Sequence, residues 1–519
     1  MTITQRQPEI RRLEKPSGRV RWTDIALLGC AVAFVPFGVM ANNPFDIGHP
    51  ERILTLVGLL WLSCSVVVTI FVRLGVRSTT AVFSVFIATI LTMTSGPLLT
   101  NLGGPVGWAL LLGLAGTIVF LISRLESHAV LRIVMMSLAA FLISGPTIAL
   151  VRELADRGDD SVVEHQVPLV GLSERPDIFV VVLDGYAGNL TLESEFGLDR
   201  STAVQDLEEL GFEVPSSAWS AYPATRSSLP SLLDMSYPLE PGSDVTPMTE
   251  RRLSDMIGGS NSVSSVLAAE GYELVMVESG WSGSRCGPEV DTCIASPIMD
   301  EAMFSIAERS VAGQSVLRSL GYAFTVGAQH TMSWLDANGP SLSLDSQPNF
   351  VFAHVMAPHP PFFLDDSCRT RFGEEHSGVQ FARPGDDPLR RRTAYLKQTE
   401  CVDRFIVDLS RRIQPDDVMI VVGDHGTDQR NQLVRDPGTW SRADLAERFN
   451  VFLAVRDGAE CSVGETVILP NIFRRVLSCL ATRHLEELEP RMFKYAGTEG
   501  PAPRVLEVAP SDVSELLSS

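Results

Sequence analysis

The sequence is poor in positive charge. Against 62 Asp and Glu it sets only 42 Lys and Arg, for a net charge of −20. Contact with a nucleic-acid backbone takes clustered Lys and Arg, so nucleic acid is excluded as the expected partner. The sequence also lacks any Cys-x-x-Cys pair, which speaks against a cysteine-rich zinc site. Long apolar runs are missing as well, but only after about residue 152, where the chain reads as a water-soluble α/β domain. Before that point they are nearly continuous and lift the mean hydropathy of the whole chain to +0.15. A chain of 519 residues has room for more than one domain, since domains usually hold roughly 100–200 residues.

Five apolar stretches can be marked, at 23–42, 53–72, 79–98, 106–123 and 130–151. Each approaches the ~20 residues a helix needs to cross a ~30 Å hydrocarbon core. Core helices of a soluble protein would keep a polar face, and these have none. A cleaved signal peptide does not fit either, because the first run is long and others follow it. Basic residues set the orientation. Arg6, Arg11, Arg12, Lys15, Arg19 and Arg21 precede the first run, Arg73 and Arg77 follow the second, and Arg124 and Arg132 separate the fourth from the fifth. The other two connections are poor in them. The expectation is a cytoplasmic basic tail (1–22), a bundle of about five transmembrane helices (23–151), an acidic connector (152–175) and an extracytoplasmic catalytic domain (176–519). The fifth run is interrupted by Gly145-Pro146. The chain would then be a multi-pass protein of the plasma (cytoplasmic) membrane.

The cysteines point the same way. Cys30 and Cys64 lie within apolar runs, whereas Cys286, Cys293, Cys368, Cys401, Cys461 and Cys479 lie in the domain. An even number in an oxidising compartment reads as disulfides. Near-neighbour pairing would join Cys286 to Cys293, Cys368 to Cys401 and Cys461 to Cys479, although six cysteines allow fifteen pairings.

Within the domain, short β-branched runs recur at 177–184, 272–277, 350–356, 417–422 and 450–455, with helical patterns near 202–210, 262–270 and 390–412. The alternation predicts a mostly parallel central sheet sandwiched by helices. Ligands of such sheets gather beyond the carboxyl ends of the strands. Asp184 ends the first run, His354 and His359 stand near the end of the third, and Asp424-His425-Gly426 ends the fourth. Between the first two lies Tyr222-Pro-Ala-Thr-Arg-Ser-Ser-Leu-Pro230, a hydroxyl-rich turn opening a helix. Each has a plainer reading, since an Asp after a strand is often a cap and a Ser/Thr cluster usually caps a helix. Gathered at one sheet edge, a carboxylate pair, an imidazole and a hydroxyl suit a divalent ion that activates an alcohol.

These residues resemble the sulfatase branch of the alkaline-phosphatase superfamily. With the apolar runs in front, the layout is similar to lipoteichoic-acid synthases and phosphoethanolamine transferases, which move a phospho-alcohol head group from a membrane lipid through a phosphothreonine. The resemblance implies Thr225 as nucleophile, five residues before Pro230, with Asp184, Thr225, Asp424 and His425 around one divalent metal ion (Mn, Zn or Mg, with Ca also possible). It implies His359 as proton carrier or phosphate contact. Arg226, Ser227, His354 and Arg285 become the expected substrate contacts, Arg285 because Trp281-Ser-Gly-Ser-Arg-Cys286 matches a disulfide-closed loop of those families. Two departures narrow the reading. Tyr222 stands about where the Cys/Ser-x-Pro-x-Arg motif of true sulfatases carries its nucleophile, which argues against sulfate-ester hydrolysis. No histidine follows Asp-His-Gly before His484, which favours one metal over two. The implied partners are a membrane phospholipid donor and a glycolipid or glycopolymer acceptor. A membrane-tethered sulfatase or phosphodiesterase and a non-catalytic envelope sensor or scaffold are the alternatives.

Overall fold

The computed structural model describes residues 20–42, 47–96, 128–156, 171–311, 323–344, 347–370, 387–457, 462–481, 483–496 and 503–518, with a few more between 106 and 117 and at 313. Most of the basic tail, most of the fourth apolar stretch, connector residues 157–170 and Cys461 lie outside them. The chain divides into two compact units: residues 1–44, 49–159 and 305–315 form one, and 45–48, 160–304 and 316–519 the other.

In the first unit three helices are long and apolar enough to cross a membrane, with spans Trp22–Ala41, Pro50–Arg73 and Arg132–Ala149. Ser78–Thr94 is apolar but shorter, so the expectation of about five spans is only loosely matched among the described residues. Gly145-Pro146 does not interrupt the last of them, which runs as one helix from His128 to Asp156. Leu28, Ala31, Val82, Phe86 and Met135 pack together inside this unit. One ion pair, Arg132 to Asp24 at 3.5 Å, joins the first and last helices near their basic ends.

The second unit is built on a six-stranded sheet. Its strands are β1 (Ile178–Leu183), β3 (Glu273–Val277), β4 (Thr292–Ile294), β5 (Asn349–Val355), β6 (Val418–Gly423) and β8 (Leu453–Arg456), in the order β4-β3-β5-β1-β6-β8. All neighbours are parallel except β6 and β8. Every residue of β1, Ile-Phe-Val-Val-Val-Leu, is buried, as a central strand covered on both faces requires. Ile178, Val180 and Val182 face the helices Thr225–Leu233, Ser262–Ala269 and Leu469–Leu480. Phe179, Val181 and Leu183 face Ala323–Leu342 and Pro388–Ser410. The result is the expected three-layer sandwich. The run at 450–455 departs from the expectation by splitting around Phe452. Its first part, β7 (Asn450–Val451), joins a small sheet with β2 (Ser217–Trp219) and β9 (Thr466–Ile468), and its second becomes the antiparallel edge strand β8. A hairpin of β10 (Phe493–Ala496) and β11 (Arg504–Glu507) completes the unit.

Two disulfides join near neighbours, Cys286 to Cys293 and Cys368 to Cys401. Cys479 is also disulfide-bonded. Cys30 and Cys64 carry free thiols.

Candidate active site

Strand register builds the site. Leu183 of β1 stands opposite Gly423 of β6, so Asp184 and Asp424 leave adjacent strands at the same level. On the other side of β1, Val182 is paired with His354 of β5. The turn after Asp184 depends on Gly185, whose φ of +69° lies in the left-handed region where a side chain is strained. There the Gly185 N–H donates to Asp424 Oδ1 at 2.9 Å, and the His425 N–H donates to the same oxygen at 2.9 Å. Asp424 Oδ2 and Asp184 Oδ1 are left buried without a hydrogen-bond partner. Oriented carboxylate oxygens of this kind are costly to bury unless a cation meets them. Ligand atoms of Asp184, Asp424 and His425 lie within 4.8 Å of one another, so the residues fit a metal ion.

His425 is held by its Nδ1, 2.9 Å from the Gly426 carbonyl, which makes Nδ1 the donor and presents the Nε2 lone pair to the cluster. That Nε2 lies 3.2 Å from Thr225 Oγ1, 3.6 Å from Asp184 Oδ1 and 3.5 Å from Asp424 Oδ2. Thr225 is the first residue of its helix, after Ala224 in extended conformation. The Ser227 and Ser228 N–H groups already donate to the Ala224 carbonyl at 3.1 and 2.9 Å. They are therefore not free to hold phosphate oxygens. The N–H groups that a helix leaves without an internal partner are its first ones, here that of Thr225 foremost, and an anion could meet them.

Several expected substrate contacts have other partners. The Ser227 hydroxyl donates to Ala224 O and accepts from the Tyr495 hydroxyl, within a helix turn that is itself buried. Arg285 pairs with Asp255 at 3.0 Å. Arg226 reaches Ser254 at 2.9 Å and lies over the Trp281 ring. His354 is wholly buried, edge-on to Trp281, with Nε2 3.2 Å from Asp184 Oδ2; it faces the carboxylate, not an open surface. His359 remains part-exposed, 4.0 Å from Asp184 Oδ1. With His425 it borders a cavity of about 70 Å³ whose wall also includes Gly185, Arg391, Tyr395 and Asp428.

Electrostatics favour a cation here. Burial, reinforced by the Arg448 charge, pushes His425 down to about 3, so it stays neutral and able to ligate. Burial and the Asp184 charge push Asp424 up to about 6. For Asp184 burial acts upward, but His359 and His354 outweigh it and hold the carboxyl below its ordinary range. Below pH 6, an incoming ion must therefore displace one proton, from Asp424, while Asp184 and His425 offer none. The affinity of the metal-free protein for Zn²⁺ should be roughly tenfold lower at pH 5 than at pH 7. Calorimetric titration at pH 7 and pH 5 checks this, and equal affinities at the two values would contradict it.

Two residues that sequence reasoning did not single out support the site from behind. They are Glu447 and Arg448, at the end of the helix Arg442–Phe449. Glu447 accepts from the Thr427 hydroxyl and the Gln429 N–H, each at 2.6 Å. The turn they hold leaves no room at Gly426, where a Cβ would stand 2.0 Å from the Glu447 carbonyl oxygen. Gly426→Ala should thus destabilise the fold by about 1–3 kcal/mol, since backbone cannot step aside as a flexible side chain could. Chemical denaturation measures this directly; a midpoint equal to wild type would show that the turn is loose.

The sequence profile of one family, described as Sulfatase, matches residues 176–458, more than half the chain and all of the site. The chain belongs to the sulfatase family. This is a branch of the alkaline-phosphatase superfamily, and the matched segment begins just before β1 and ends just after β8. No curated protein matches the sequence. Solved structures of similar chains include the lipoteichoic acid synthase LtaP from Listeria monocytogenes, at 14% identity and TM-score 0.41, covering 71% of this chain and 94% of that one. Another is the integral membrane lipooligosaccharide phosphoethanolamine transferase EptA from Neisseria meningitidis, at 12% identity and TM-score 0.40, covering 88% and 95%. A third is the periplasmic domain of EptC from Escherichia coli in complex with Zn, at 12% identity and TM-score 0.40, covering 65% and 96%.

Proposed function

We propose that this sulfatase-family chain is a membrane-anchored, metal-dependent transferase that moves a phospho-alcohol head group from a membrane lipid to an envelope acceptor through Thr225. The observation that carries the reading is the placement of the Thr225 hydroxyl, at a helix start and 3.2 Å from His425, beside two buried carboxylates with unpartnered oxygens. Asp184, Asp424, His425 and Thr225 would hold a single divalent ion, Mn²⁺, Zn²⁺ or Mg²⁺ (Ca²⁺ is also compatible with the ligand types). Such an ion, when bound, lowers the pKa of the Thr225 hydroxyl and draws charge from the phosphoryl oxygens. Thr225 Oγ attacks phosphorus, the bond to the lipid alcohol breaks, and diacylglycerol leaves with a proton. The head group remains as a phosphothreonine until an acceptor hydroxyl displaces Thr225. His359, part-exposed at the cavity and 4.0 Å from Asp184 Oδ1, would carry protons in both steps.

In this reading residues 23–151 form the anchor, the connector ends near 175, and 176–519 work outside the cytoplasm on a phospholipid donor and a glycolipid or glycopolymer acceptor. The disulfides support that side of the membrane, because they persist in oxidising compartments. Protease treatment of intact cells should cut the domain. Protection until the membrane is opened would overturn the orientation.

The experiment that tests the chemistry is product analysis. Full-length protein in vesicles of labelled phosphatidylglycerol or phosphatidylethanolamine should transfer the label to an added glycolipid, with diacylglycerol released in equal amount. Release of free head-group phosphate at the same rate with and without acceptor would make the protein a hydrolase.

A further inference from the structure

One side chain touches both halves of the site. Arg448 is buried, and its guanidinium is spent on backbone carbonyls rather than on a carboxylate. Nε donates to the Pro223 carbonyl at 2.6 Å, Nη2 donates to the same oxygen, and Nη1 donates to the Gly426 carbonyl at 3.0 Å. Pro223 lies two residues before Thr225. The Gly426 carbonyl is the one that fixes the His425 ring, and the Gly426 N–H in turn donates to the Arg448 carbonyl at 2.8 Å. The turn carrying the hydroxyl and the turn carrying the imidazole are thus tied to one planar fork.

We propose that Arg448 is a positioning residue that sets the distance between Thr225 and the Asp424–His425 pair, and through it the affinity for the metal ion. The shape of the guanidinium matters as much as its charge. Three N–H groups in a rigid plane reach two carbonyls at once, and a lysine ammonium on a flexible stem cannot hold both in fixed relation. Residues behind metal ligands typically change metal affinity by about 10–100-fold when removed.

The inference rests on Thr225 and Asp424–His425 being the working groups, so the test includes a reading that needs no lipid chemistry. Zn²⁺ affinity of the metal-free full-length protein, its melting temperature without metal, and kcat and KM on a chromogenic phosphodiester are compared for wild type, Arg448→Met and Arg448→Lys. Both variants should bind Zn²⁺ about 10–100-fold more weakly and lose kcat more than KM. Arg448→Lys, which keeps the buried charge, serves if Arg448→Met fails to fold. Wild-type affinity in Arg448→Lys would overturn the geometric role, and so would a loss fully accounted for by the unfolded fraction. If wild type itself bound no Zn²⁺ while Arg448→Met melted normally, the metal site and not Arg448 would be the error.

Discussion

Thr225→Ala should lose several orders of magnitude in turnover while remaining folded. The hydroxyl's hydrogen bond to His425 is worth about 1 kcal/mol to stability. Because the helix is capped by Ala224 in extended conformation without a side-chain bond, no cap is lost with it. The covalent step is another matter, since without the nucleophile the reaction has no first half. Initial rates on labelled phospholipid, beside a melting curve, separate the two. Turnover within tenfold of wild type would place the nucleophile elsewhere, and Ser227 is a poor substitute because its hydroxyl is already engaged by Ala224 and Tyr495.

The second large effect belongs to Asp424, and here the kind of substitution decides the outcome. In the structure Asp424 is wholly buried, and its Oδ1 accepts from both the Gly185 and His425 N–H groups. Alanine would leave two buried donors unsatisfied, at about 1–3 kcal/mol each. Asparagine keeps an acceptor in the same place and removes the charge. Asp424→Asn should therefore stay near wild-type stability yet lose the metal and nearly all activity. Asp424→Ala should lose these and several kcal/mol of stability as well. Equilibrium dialysis with metal analysis, together with denaturation of both variants, tests the pair. Full metal occupancy in Asp424→Asn would remove Asp424 from the ligand set.

The residues legible in the sequence are those whose position follows from the end of a strand. A run buried on both faces must be central, and the polar residue after it emerges at the sheet edge, which is how Asp184 and Asp424 come together through the register of β1 with β6. Thr225 is legible because a hydroxyl-rich turn before a helix is a local pattern. What local pattern does not give is the direction of a side chain. Arg285 and Ser227 stand beside the right neighbours in sequence but face Asp255 and Tyr495 in space. Arg448 fails for the opposite reason. The helix Arg-Ala-Asp-Leu-Ala-Glu-Arg-Phe looks like a charged surface helix, yet its last turn is buried against two carbonyls more than twenty residues away in sequence. The antiparallel sense of the edge strand β8 is not legible, because a short apolar run carries no sign of direction, and the break at Phe452 sends the two parts of the 450–455 run into different sheets.

The most direct measurement is the mass of the full-length protein after brief incubation with phospholipid vesicles lacking an acceptor, followed by peptide mapping. The prediction is a single phospho-alcohol adduct on Thr225, absent from Thr225→Ala and discharged when acceptor is added. An adduct on any other residue, or steady transfer by wild-type protein with none trapped at Thr225, would contradict it.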